Sequence, residues 1–212
     1  MQEIKISFYN QNLQLEGCLA LPESPGGRPY PAVLLCHPHP LYGGNMDNTV
    51  IVAVSRALVG RGMASLRFNF RGVGNSEGSF AEGVGELDDT YSALTFLSDR
   101  EEVDQERIGI LGYSFGGMIA LSAGIECALV KAMAGISPIV PSSLLTYCSK
   151  PALFIYGTED DFVPPSIMLQ EIKKMSVPGE VVAIAGADHF WWGYEKEVAE
   201  KAAGFFAGHL GL

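Results

Sequence analysis

Three short stretches carry side chains able to do chemistry together: GYSFGG at 112–117, YGTEDDFVPP at 156–165 and GADHFWWG at 186–193. The first sets Ser114 between Gly112 and Gly116, where an apolar run gives way to helical spacing, the strand-turn-helix context that G-x-S-x-G requires. A serine held in a tight, strained turn brings neighbouring backbone so close that a side chain two positions away on either side would clash, hence the glycines. Helix amides beginning at Phe115 then point toward any negative charge that develops nearby. A glycine-rich turn with a capping serine also occurs in phosphate-binding sheets. The chain, however, has no G-x-x-x-x-G-K and no G-x-G-x-x-G at its first strand-helix turn.

A neutral serine is a poor nucleophile, so it needs a base within hydrogen-bond reach and a third group to orient that base. Of the four histidines, His209 sits at the end of the last helical segment, where an imidazole complements the helix terminus. His37 and His39 precede the nucleophile. His189 directly follows the last strand-like run, in a loop from which an imidazole can reach the serine, and it is the expected base. Glu159, Asp160 and Asp161 compete for the orienting acid, and spacing alone does not separate them. An acidic loop before a helix is also an ordinary feature, because the helix N-terminus favours negative charge.

These residues need elements to hold them. Residues 4–9 and 13–21 alternate apolar and polar around Asn10-Gln11-Asn12, the pattern of a half-exposed antiparallel hairpin. The loop PESPGGRPYP follows, then short apolar runs at 32–36, 64–70, 108–112, 131–136, 152–156 and 180–185, which read as strands buried on both faces. Helical spacing occupies 49–60, 84–98, 115–127, 165–175 and 194–209. This alternation predicts an eight-stranded, mostly parallel sheet flanked by helices, in one domain spanning 1–212. The Pro- and Ser-rich stretch 137–150 predicts a loop with at most one helical turn, too short for a large cap.

Composition narrows the classes. A 212-residue chain with 48% apolar residues can bury one sizeable core. A net charge of −10 argues against nucleic-acid and anionic-membrane partners. The N-terminal MQEIKISFYNQ lacks the basic and apolar regions of a signal peptide, which points to a cytoplasmic protein. Cys18, Cys36, Cys127 and Cys148 are scattered without C-x-x-C spacing, so reduced thiols are expected rather than disulfides or a zinc ribbon.

GYSFGG, the G-x-x-D-x-x-V-P of 157–164 and GADHF together resemble the serine α/β-hydrolase superfamily. In that pattern the acid is the residue three before the valine, which is Asp160. CHPHPLYGGNMDN (36–48) and FNFRGVGNSEGSFAEGVGELDD (68–89) are further similar to small, lidless hydrolases related to dienelactone hydrolases, so the resemblance runs over nearly the whole chain. It departs at the nucleophile: dienelactone hydrolases carry cysteine where this elbow has Ser114.

The resemblance also gives the HPHP loop a role. In α/β hydrolases the loop after the third strand donates one backbone N–H to the oxyanion and the residue after the nucleophile donates the other, here Phe115. Pro38 and Pro40 have no N–H, leaving His37, His39 and Leu41, of which the analogy with the usual H-G-x loop favours His39. A metal held by His37 and His39 would need further ligands, and no Cys, His or acid cluster nearby has the spacing, so no metal and no cofactor is expected. Leu41, Tyr42 and Trp191 are candidate substrate contacts. Phe190 and Trp192 share the aromatic run with Trp191, and packing beneath the base loop is an equal alternative for all three. Arg71 reads as a structural salt bridge, with a substrate contact as the alternative, and Glu86, Asp88 and Asp89 read as helix-start or solvent-facing acids.

The sequence thus predicts an α/β-hydrolase fold without a large cap and a serine carboxylesterase acting on small, soluble esters. Ser114, Asp160 and His189 form the triad, and Phe115 and His39 the oxyanion hole. The expected partner is a small-molecule ester, and a homodimer is allowed. A thioesterase or small peptidase with the same triad is the alternative enzyme, and a binding or scaffold protein that has lost its chemistry is the alternative class.

Overall fold

The computed structural model describes residues 1–23 and 29–212. The loop read from PESPGGRPYP falls in part on 24–28, outside the described residues. Eight strands, β1 (Gln2–Asn10), β2 (Leu13–Leu21), β3 (Tyr30–Cys36), β4 (Ala64–Phe68), β5 (Val103–Tyr113), β6 (Val130–Ile136), β7 (Ala152–Gly157) and β8 (Glu180–Ile184), form one sheet in the order β1-β2-β4-β3-β5-β6-β7-β8. β1, β2 and β4 pair antiparallel, and all pairs from β4-β3 to β7-β8 are parallel. This is the α/β-hydrolase fold that the sequence predicts.

Five helices cover it: α1 (Thr49–Gly60), α2 (Val84–Ser98), α3 (Phe115–Glu126), α4 (Pro165–Ile172) and α5 (Glu195–His209). The continuous apolar runs of the inner strands follow from burial on both faces, whereas β8, at the sheet edge, is mostly exposed and is not the doubly buried strand its sequence suggests. In β3, Leu34 and Cys36 enter a core shared with α2 and α3, while Val33 and Leu35 enter one shared with α1 and α5. Because successive strand residues point to opposite faces, a strand roofed on both sides is apolar wherever it lacks a polar partner; Ser65 and Arg67 of β4 have theirs in Ser55 and in Glu3 and Asp47. Each fully buried Leu, Val or Phe contributes roughly 1.5–3 kcal/mol, so the two cores fix the sheet firmly and the loops at its carboxyl edge inherit that rigidity.

Most boundaries agree to within two residues, and α4 ends at Ile172 rather than 175; the shifts in β5 and β4 have a visible cause. β5 begins at Val103 rather than 108, because Tyr30 pairs with Val103 across a register irregularity and draws the polar DQER segment into the strand. β4 ends at Phe68 rather than 70: the Asn69 amide bonds the Glu16 carbonyl, and the Phe70 amide turns to the His37 ring. Between β6 and β7 the chain makes a single short 3-10 turn, Leu144–Tyr147, so no cap domain covers the carboxyl edge. No helix among the described residues is long and apolar enough to cross a membrane.

Candidate active site

The turn between β5 and α3 explains the glycines of GYSFGG. Ser114 holds φ 55°, ψ −115°, a conformation disfavoured for any residue with a Cβ. A Cβ on Gly112 would lie 1.9 Å from the Gly116 carbonyl oxygen, and one on Gly116 would lie 2.3 Å from the His37 carbonyl oxygen. The elbow therefore closes only with glycine on both sides. Its backbone is pinned by the Ser114 amide donating to Ile136 and by the Ser114 carbonyl accepting from Met118 and Ile139.

The elbow lifts the Ser114 hydroxyl to within 3.0 Å of His189 Nε2. On the far side of the ring, Nδ1 lies 2.9 Å from Oδ2 and 3.1 Å from Oδ1 of Asp160. A carboxylate can only accept, so Nδ1 carries the proton and Nε2 presents its lone pair to the hydroxyl. Asp160 is itself held by the amides of Phe162 and Val163, both donating to Oδ1. Burial pushes its carboxyl upward, but the hydrogen bonds from His189 and Val163 outweigh that and hold it below the ordinary carboxylate range. Glu159 and Asp161 are exposed, and the Glu159 carboxylate accepts from the Thr158 hydroxyl at 3.5 Å.

The HPHP loop sends its two imidazoles to different places. His37 is fully buried. Its Nδ1 donates to the Pro38 carbonyl at 2.6 Å, and Nε2 accepts from the Phe70 amide at 3.2 Å. Burial lowers its pKa to about 4, so the ring is a neutral strut between the ends of β3 and β4. His39 faces outward and packs against Tyr42, Phe80 and Phe115, with ring centroids 4.8–4.9 Å apart. No group of three or more His, Cys, Asp or Glu among the described residues is placed to hold a metal ion.

The loop's amides are distributed as tightly. Leu41 donates to His39 Nδ1, Tyr42 and Gly44 donate to the His39 carbonyl, and Gly43 donates to Pro40. Leu41 is thereby removed from the candidate oxyanion donors. Among the described residues, the amides of His39 and Phe115 donate to no backbone carbonyl in the turn and loop bonds around the elbow, and their side chains lie against each other. Two N–H groups held by a rigid loop and a helix start are what a developing oxyanion needs.

The substrate candidates separate. Tyr42 lines a cleft of about 400 Å³ beside Ser114, together with His39, Tyr113, Ile139, Phe162, Val163 and Phe190. Leu41 is exposed and does not line that cleft. Trp191 has no exposed surface: it packs into the core shared with α1 and α5, with φ 64°, and takes no part in the cleft. Phe190 supplies the aromatic wall instead, and the exposed ring of Trp192 lies 6.0 Å from it. Phe162 stacks on His189, with ring centroids 5.5 Å apart, and has no signal in the sequence beyond its place in the acidic loop.

Arg71 is structural. Its amide, Nε and Nη2 all bond the buried Asp89, which also accepts from Asn10, so Asp89 is neither a cap nor solvent-facing. Glu86 accepts from the amides of Ala81 and Gly83 at the start of α2.

The profile of the dienelactone hydrolase family matches residues 77–205, a span that includes Ser114, Asp160 and His189 but not the HPHP loop. An uncharacterised protein of Rickettsia prowazekii is 35% identical over 209 residues, covering 93% of this chain and 86% of that one. Among solved structures, an α/β serine hydrolase homologue from Coxiella burnetii has a TM-score of 0.86 at 31% identity, covering 96% of this chain and 97% of that one. A serine hydrolase without a lid from Xanthomonas campestris has a TM-score of 0.86 at 26% identity, covering 100% and 97%.

Proposed function

The chain belongs to the dienelactone hydrolase family and has the α/β-hydrolase fold, and from that premise we propose that it is a serine carboxylesterase of small, soluble esters. The observation that carries the reading is the 3.0 Å contact between Ser114 Oγ and His189 Nε2 in a strained elbow, with Asp160 on the opposite ring nitrogen.

The reaction follows from that order of atoms. Ser114 Oγ attacks the ester carbonyl carbon while its proton passes to His189 Nε2. The resulting imidazolium is stabilised by the Asp160 carboxylate, and the carbonyl oxygen, now an oxyanion, accepts from the amides of Phe115 and His39. As the intermediate collapses, the bond to the alcohol oxygen breaks and His189 returns its proton to the leaving alcohol. Water then gives a proton to His189 and attacks the acyl carbon; the bond from that carbon to Ser114 Oγ breaks, His189 returns the proton to Oγ, and the acid leaves.

Substrate size is argued from the open carboxyl edge. A single 3-10 turn between β6 and β7 offers no lid that would bury a long insoluble chain, and a cleft of about 400 Å³ lies at the small end of ligand sites, which run from roughly 300 to 1,000 Å³. The test is a fluorophosphonate probe followed by p-nitrophenyl acetate. The expected result is covalent labelling and turnover in the wild type and neither in Ser114→Ala. Folded wild type that does not label would favour a binding protein on the same fold, and activity abolished by a chelator and restored by zinc would overturn the metal-free account.

A further inference from the structure

The walls of the cleft say more about the substrate than its size does. One wall comes from the loop after β3, with Tyr42 and His39, and the other from the loops after β6, β7 and β8, with Ile139, Phe162, Val163 and Phe190. No lysine or arginine among the described residues lines it. Two of the uncharged polar groups are engaged: the Tyr113 hydroxyl donates to the His189 carbonyl at 2.5 Å, and Asn48 Oδ1 accepts from the amides of Val50 and Ile51, which leaves the exposed Tyr42 hydroxyl and the Asn48 amide as neutral donors that offer a carboxylate no full charge. Glu159, Asp160, Asp161 and Asp188 belong to the two loops that supply Phe162 and Phe190, on a chain of net charge −10. A carboxylate entering this cleft would lose its hydration and meet no compensating cation.

The aromatic rings are placed on one side of the chemistry. Phe162 stacks on the His189 ring at 26° between planes, and Phe190 meets Phe162 edge-on at 5.3 Å. Phe162 is 72% exposed and Phe190 45%, so both rings keep open surface, as do Tyr42 across the cleft and Trp192 beside Phe190, and these exposed apolar groups are gathered around the mouth of the site. His189 must protonate the departing alcohol, so the alcohol half of the ester lies on the His189 side, against these two rings.

We propose that the cleft selects esters whose leaving alcohol is uncharged and aromatic, its ring packing on Phe162 and Phe190, and that it rejects esters whose alcohol carries a carboxylate. This rests on the serine-esterase reading and specifies its substrate. Edge-on and offset ring contacts favour an arene over a saturated ring of the same size, whereas burial of area alone would not.

The experiment compares benzyl acetate, cyclohexylmethyl acetate and 4-carboxybenzyl acetate, which share an acyl group. The expected kcat/KM for the benzyl ester exceeds that for the cyclohexylmethyl ester by about three- to tenfold and that for the carboxylated ester by at least about tenfold. Phe162→Leu and Phe190→Leu should each shrink the benzyl-to-cyclohexylmethyl ratio toward one, and Ile139→Arg should raise the rate on the carboxylated ester relative to benzyl. Equal rates on the three esters, or faster hydrolysis of the carboxylated one by wild type that still labels at Ser114 with fluorophosphonate, would overturn the substrate assignment and leave the esterase reading standing. Absence of labelling would instead remove the esterase reading beneath it.

Discussion

The hydroxyl of Tyr113 donates to the backbone carbonyl of His189 at 2.5 Å, joining the residue before the nucleophile to the residue proposed as its base. The two positions are 76 residues apart, and this bond sets how far the β8–α5 loop stands from the elbow. Burial, with Asp160 and Asp188 nearby, raises the Tyr113 pKa, so the donor keeps its proton well into alkaline pH.

Tyr113→Phe removes that donor and strands a carbonyl. The expected outcome is a fall in kcat of about three- to tenfold with KM for a small ester nearly unchanged, equivalent to roughly 1 kcal/mol of lost positioning. Steady-state kinetics separate this from a substrate-contact role, which would move KM.

Ser114 stores strain. Ser114→Ala and Ser114→Gly should both abolish labelling and turnover, but glycine alone relaxes the positive φ. In urea denaturation the glycine variant is expected to be more stable than the alanine variant by about 1 kcal/mol. Equal midpoints would show that the turn costs nothing.

Asp160→Asn keeps the shape of the site but turns an acceptor-only group into one that can donate, so the His189 ring is no longer held with its proton on Nδ1. By comparison with serine proteases, kcat should fall by about 10³- to 10⁴-fold with little change in KM. The variants of the exposed neighbours Glu159 and Asp161 should differ from wild type by less than about twofold.

His37 makes stability depend on pH. Its pKa falls from 6.5 to about 4 on folding because burial disfavours the charged ring, so between these values the unfolded chain binds more protons. The neutral ring's contribution is complete above pH 6.5 and is lost as pH falls toward 4, on the order of 3 kcal/mol in total. Urea midpoints at pH 7.5 and pH 4.5 should differ more in wild type than in His37→Gln. A difference that survives the substitution intact would place the pH dependence elsewhere.

Much of the architecture is legible along the chain, for a local reason. Strands buried on both faces are apolar except where a polar side chain finds its partner, as Ser65 and Arg67 of β4 do in Ser55 and in Glu3 and Asp47, and a serine elbow cannot close without glycine at 112 and 116, so both leave patterns a few residues long. The helix limits of α1 and α2 follow the same way. The polar start of β5 is not visible, because only its pairing with Tyr30 makes it a strand.

The site required distances that no local pattern contains. Spacing alone leaves three adjacent acids equivalent and the family resemblance points to Asp160; the folded turn after β7 supplies the physical reason, aiming Asp160 at His189 while leaving Glu159 and Asp161 in solvent. Among the loop amides, only analogy favours His39 over Leu41 until the His39 ring bends back to accept the Leu41 hydrogen. In the run Phe190-Trp191-Trp192, a positive φ at Trp191 turns the middle ring into the core and its neighbours outward, an alternation set by the packing of α5 against the sheet. The sequence by itself determined which chemical groups are present and which elements carry them. The tertiary structure decided which of them meet, because hydrogen bonding and ring packing act between atoms brought together from segments dozens of residues apart.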